Sequence, residues 1–164
     1  MCFNITDIPV EVKFNLPKPL IAEEDIVCYK IVRKNSKGKI ISNSRDYEYN
    51  TTTTQPEINL EIKLGSTWIN NEKKSTITGT IEEGYHSYTN INKAYSNLTS
   101  SRGLLSMICY IDINDSENRV LVRFYIPKGS KYYINEKEQE YVSSNIKFDE
   151  VIEDKLLIRD PKFN

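Results

Sequence analysis

Asp25-Ile26-Val27-Cys28-Tyr29-Lys30-Ile31-Val32-Arg33-Lys34 is the stretch whose reading decides the fold. Its β-branched residues and Tyr29 suit a pleated, half-buried surface, and Asn35-Ser36-Lys37-Gly38 follows as a turn signal. The run predicts a central strand, hairpinned to Lys39 to Ser42.

Working outward, Ser44 to Gln55 is polar, carries four threonines before Pro56 and shows no apolar period, so a loop is expected there. Glu57 to Leu64 alternates strictly: Ile58, Leu60, Ile62 and Leu64 should face a core, with Glu57, Asn59, Glu61 and Lys63 facing water. Trp68-Ile69 ahead of Asn70-Asn71-Glu72-Lys73-Lys74 predicts a buried aromatic anchor entering an exposed turn. Gly84 to Tyr88 reads as a short strand. Behind it Ile91, Ala94, Tyr95 and Leu98 stand at helical spacing after a cap at Thr89 or Asn90, which predicts the one clear helix, about 90–99. Alternating runs at 105–113 and 120–126, joined by a turn at 115–118, predict a further strand pair. Shorter strands are expected at 132–134, 140–148 and 155–158. The sum is an α+β class, a mostly antiparallel sheet assembly with one short helix.

Upstream, Pro9, Pro17 and Pro19 favour an extended N-terminal arm over residues 1–24, leaving 25–164 as a single β-rich domain. A chain of 164 residues, 38 % hydrophobic, suits one core. With 22 basic and 23 acidic side chains, a net charge of −1 creates no long-range field to recruit nucleic acid or an anionic membrane. There is no leader-like N-terminus and no apolar run of membrane-spanning length, so a cytoplasmic protein is expected. Cys2, Cys28 and Cys109 form no C-x-x-C pair, which points to reduced thiols.

The phosphate-cradling, dinucleotide, zinc-protease and nucleophile-elbow motifs are all missing. One histidine cannot build a multi-histidine metal site, and no structural metal is expected. That histidine, His86, lies between Tyr85 and Tyr88 just before the helix. Either it hydrogen-bonds locally while the tyrosines pack, or it belongs to a recognition site in which Ser87, Thr89 and Asn90, beside the helix N-terminus, hold a phosphate or carboxylate. Arg33, Lys34, Lys37 and Lys39, with Tyr29 and Tyr47 nearby, read as a solvated hairpin end, the favoured reading, or as a stacking surface for a nucleotide or a single nucleic-acid strand. Glu138 and Glu140, two apart, would share one side of a strand as an acid/base pair or as hydrated charges.

Asp25-Ile26-Val27-Cys28-Tyr29-Lys30, Gly84-Tyr85-His86-Ser87-Tyr88, Ile126-Pro127-Lys128-Gly129-Ser130 and Tyr141-Val142-Ser143-Ser144, in that order, resemble a family of small proteins carried by tailed phages and their bacterial hosts. The likeness covers about residues 20–150 and brings no activity with it; the expectation set beside it is a phage-type accessory protein in the host cytoplasm, with counter-defence as its role. More distantly, the order of elements is similar to ADP-ribosyltransferase folds. That likeness matches Tyr29-Lys30 to the first motif, Tyr85 to Tyr88 to the second and Glu138 or Glu140 to the third. It implies NAD as cofactor, Glu140 stabilising an oxocarbenium ion, and His86 or Lys30 holding the dinucleotide. Lys30 stands where those enzymes carry Arg or His, which favours a binder without cofactor. On that reading Tyr29, Lys30, Tyr85, His86, Ser87, Tyr88 and Glu140 line a site for a nucleotide-like ligand or a host protein.

Overall fold

The structure, a computed structural model, describes residues 3–9, 18–42, 48–49, 52–54, 57–99 and 119–154, with 3–9, 52–54 and 97–99 as backbone only. Twelve strands and one helix follow in chain order: β1 Phe3–Pro9, β2 Leu20–Ile21, β3 Ile26–Lys34, β4 Ile40–Ile41, β5 Thr52–Thr54, β6 Glu61–Ile69, β7 Glu72–Ile81, β8 Tyr85–Tyr88, α1 Ile91–Thr99, β9 Arg119–Ile126, β10 Lys131–Asn135, β11 Glu140–Ser143 and β12 Asn145–Glu153. The expected class, mostly antiparallel sheet with one short helix, is what the described residues form.

β3 is central, as its composition predicts. It pairs antiparallel with β9 from Ile26↔Ile126 to Arg33↔Arg119, with β8 at Tyr29↔Tyr88, and with β4 through a hairpin. Asn35 closes that hairpin, its Oδ1 accepting from the Lys37 and Lys39 amides, while Gly38 takes a φ of 77°. The large sheet runs β2-β10-β11-β8-β3-β9-β12-β5. One of its faces carries Cys28, Val32, Val120, Val122, Phe124 and Ile126. Ala22 and Tyr132 from one end of the sheet and Ile146 and Phe148 from the other pack into the same cluster, so the sheet curls round its own core. Tyr49 plugs it, its ring edge-on to Phe124 at 5.0 Å.

The opposite face takes α1. Ile91, Ala94 and Tyr95 pack on Tyr29, Ile31, Tyr88 and Leu121, and the Tyr95 hydroxyl donates to Glu153 on β12. Asn90 caps the helix, accepting from the Lys93 amide at 2.9 Å. A second, three-stranded sheet, β1-β7-β6, meets this face through Ile58, Leu60 and Ile81, which pack on Tyr133 and Val142. The expected N-terminal arm is thus stitched in by its backbone, β1 along β7 and β2 along β10.

Several expectations are corrected. Within the expected loop 44–55, Thr52–Thr54 forms β5 against β12. The alternation from Glu57 buries Ile58 and half-buries Leu60, but Ile62 and Leu64 are exposed, because β6 starts only at Glu61 and runs away from the body. Trp68 is 71 % exposed rather than an anchor. β7, whose Ser75-Thr76-Ile77-Thr78 run carried the signal, was not anticipated. The single strand expected over 140–148 is two strands, split at Ser144. The expected strands at 105–113 and 155–158, and the turn at 115–118, lie outside the described residues.

Candidate functional site

β8 is four residues long and wholly buried. Strand alternation sends its side chains to opposite faces. Tyr85 and Ser87 enter the curled core, whereas His86 and Tyr88 lie on the face covered by α1 and the small sheet. The ladder extends this arrangement: Glu140↔Tyr88 on one side and Tyr29↔Tyr88 on the other form a row across β11, β8 and β3. Beyond it, Tyr29↔Arg123 carries the row to β9. There Arg123 is held by Asp149 at 2.6 Å and Glu150 at 2.7 Å.

His86 stands one step along from that row, opposite Val142. Its Nδ1 is 3.4 Å from Glu140 Oε1, with both side chains about nine-tenths buried. A carboxylate accepts, so the imidazole donates from Nδ1, and in the neutral ring Nε2 is then the acceptor. Nε2 is buried and, among the described residues, has no hydrogen-bond partner. Tyr88 is held as a neutral phenol, its pKa raised by burial and then by the negative charge of Glu140.

Of the seven residues expected to converge, the structure brings Tyr29, His86, Tyr88 and Glu140 together on one face. Lys30, Tyr85 and Ser87 do not join them. Lys30 shares the face of Cys28, since Cys28↔Phe124 and Lys30↔Val122 are successive same-side pairs. Burial pushes the Cys28 thiol up to about 12, with the Ser87 hydroxyl and the Lys30 ammonium opposing. These residues belong to the core side, and the physical reason is the two-residue period of the strand.

Glu138 and Glu140 do not form a carboxylate pair. Glu138 lies in the turn before β11, where Gln139 has a φ of 52°, and it reaches Lys93 Nζ at 3.4 Å. The helix N-terminus is already occupied: Asn90 caps it, and the Thr89 amide donates to the Gln139 carbonyl at 3.0 Å. Two of the four basic side chains of the hairpin cluster are ion-paired and a third is hydrogen-bonded. Arg33 donates to the Ser42 carbonyl at 2.9 Å, Lys34 meets Asp154 at 2.9 Å and Lys39 meets Glu48 at 2.9 Å. Tyr47 lies outside the described residues.

Among the described residues, no group of three or more His, Cys, Asp or Glu side chains is placed to hold a metal ion, and no helix is long and apolar enough to cross a membrane. Comparison with protein-family models, with curated proteins and with solved structures finds no match for this chain. The geometry defines a buried His-Glu couple at the end of a row that continues through Tyr88 to Tyr29, roofed by a helix on one side and a small sheet on the other.

Proposed function

We propose that this chain binds a small nucleotide-like ligand through Tyr29, His86, Tyr88 and Glu140 without turning it over, as a phage-type accessory protein acting in its host's cytoplasm against host defence. The observation that carries the reading is His86 Nε2, buried and without a hydrogen-bond partner among the described residues, on an imidazole whose Nδ1 faces Glu140. An unpaired buried polar atom is destabilising by about 1–3 kcal/mol, and a ligand N–H or O–H reaching Nε2 removes that penalty. Tyr88 on the same face and Tyr29 opposite it supply aromatic surface to the apolar surroundings of that atom, packed under α1.

Binding is favoured over transferase chemistry by the same geometry. Glu140 is engaged with His86, and Lys30 lies on the other face of the sheet from it. Heat-released supernatant of the purified protein, analysed by mass spectrometry, should contain a nucleotide-like compound, and His86→Ala should lose it. Incubation with labelled NAD and host lysate tests the alternative. Nicotinamide release or label transfer that Glu140→Gln abolishes would replace the binder with an ADP-ribosyltransferase-like enzyme.

A further inference from the structure

The hairpin of β6 and β7 carries a different message. Around the turn at Asn70 and Asn71, whose φ values are 51° and 62°, both strands leave the body. Every β6 residue except Thr67 is exposed, so neither face of the strand is covered. Leu64 is 78 % and Trp68 71 % exposed, with Ile62 and Ile69 also at the surface. Among the described residues β6 is the end strand of its sheet, β1-β7-β6. A nine-residue edge with exposed apolar side chains and open backbone groups is the kind of strand that soluble proteins normally blunt or pair.

The direction of the open groups follows from the register. In a hairpin closed by two residues, the flanking pair Ile69↔Glu72 is hydrogen-bonded, so the odd-numbered residues of β6 bond to β7. The N–H and C=O of Ile62, Leu64, Ser66 and Trp68 therefore point outward.

The geometry points to a second copy of this chain as the occupant, with β6 pairing antiparallel to β6 about a two-fold axis at Gly65. In that register all nine residues pair. Ile62 meets the partner's Trp68 and Leu64 meets the partner's Ser66, both as hydrogen-bonded pairs of outward-directed residues. An aromatic residue against a β-branched one is a favourable cross-strand pair, and symmetry makes it twice. On the other face Lys63 meets the partner's Thr67 and Glu61 the partner's Ile69, so no like charges oppose. Gly65 faces its own counterpart on the axis, where the absence of a side chain permits close approach. The product is a continuous sheet in the order β1-β7-β6-β6-β7-β1.

Sedimentation equilibrium of the full chain tests this. A concentration-dependent dimer is expected, and Leu64→Pro should raise its dissociation constant at least about 100-fold, because proline removes an outward N–H and no bond to β7. A second measurement stands apart from any effect of proline on folding. With Cys2 and Cys109 replaced by serine, Gly65→Cys should form a disulfide-linked dimer under mild oxidation, as non-hydrogen-bonded partners bring Cα atoms to about 4.5 Å. The added Cβ meets only Thr76 Oγ1, at 3.5 Å. Thr67→Cys should not cross-link, since the two copies of Thr67 are four residues, about 13 Å, out of step. A chain that stays monomeric, a Leu64→Pro dimer as tight as the parent, or cross-linking at Thr67→Cys equal to that at Gly65→Cys overturns the proposal.

Discussion

His86 and Glu140 are diagonal neighbours across β8 and β11: His86 faces Val142 and Glu140 faces Tyr88, yet Nδ1 and Oε1 approach to 3.4 Å. The contact is possible because both side chains are long and share a face two residues apart, a spacing that long side chains span in antiparallel pairs. Neither residue could find the other by sequence proximity, being 54 positions apart.

Removing the acceptor should expose the strength of this couple. Glu140→Ala leaves both imidazole nitrogens without a partner and is expected to destabilise the fold by about 1–3 kcal/mol, read as a lower urea midpoint. Glu140→Gln retains an accepting oxygen and should lose less. Equal midpoints for the two variants would mean that the contact does not orient His86.

Gly84 precedes the strand that carries His86 and has a φ of 125°. A Cβ there would lie 2.7 Å from both Ile58 Cγ2 and Val142 Cγ2, so the joint between the two sheets would have to open. Gly84→Ala should therefore cost more than about 2 kcal/mol, combining backbone strain with overpacking. Gly129→Ala, at a φ of 85° with open space around it, should show only the backbone part, about 1 kcal/mol. Chemical denaturation of the two variants side by side separates the contributions.

The fold should weaken in alkali. In the unfolded chain the Cys28 thiol ionises near its ordinary 9.0, but in the core burial holds it protonated to about 12. Below pH 9 its contribution is complete, and as pH rises from 9 to 12 the unfolded state alone loses the proton, so stability falls. Tyr88, raised by burial and by Glu140, acts in the same direction above pH 10. Thermal midpoints should drop across this window. Iodoacetamide at pH 8 should leave Cys28 unmodified until the chain is denatured, and rapid alkylation of the folded protein would contradict its burial.

Leu64 and Ile77 occupy one position of the β6–β7 ladder, yet Ile77 is wholly buried and Leu64 is open. Ile77→Ala should cost about 2–5 kcal/mol, whereas Leu64→Ala should change the stability of the dilute protein by less than about 0.5 kcal/mol. Comparable losses at the two positions would place Leu64 in the core after all.

Local chemistry determined much of this molecule. The β-branched run around Cys28 could hardly be anything but an inner strand, Asn35 and Gly38 dictated the hairpin turn, and Asn90 ahead of Ile91, Ala94 and Tyr95 set the start of α1, because caps, turns and apolar periods act over a few residues. The same logic singled out His86 as the one imidazole. Alternation alone also implied that Tyr85 and Ser87 point away from His86 and Tyr88, although which face is core cannot be read from a strand that is apolar on both sides.

Tertiary structure decided the rest. Ile62, Leu64 and Trp68 have the pattern of a buried face, and only the departure of the hairpin from the body leaves them exposed, since burial depends on what other segments lie opposite. The row Glu140, Tyr88, Tyr29, Arg123 exists only through long-range register, in which a one-residue slip of any strand would turn its members to the other face. The approach of Glu140 to His86 was set by that same register, whereas the two-residue period of β3 by itself put Lys30 on the face opposite Tyr29.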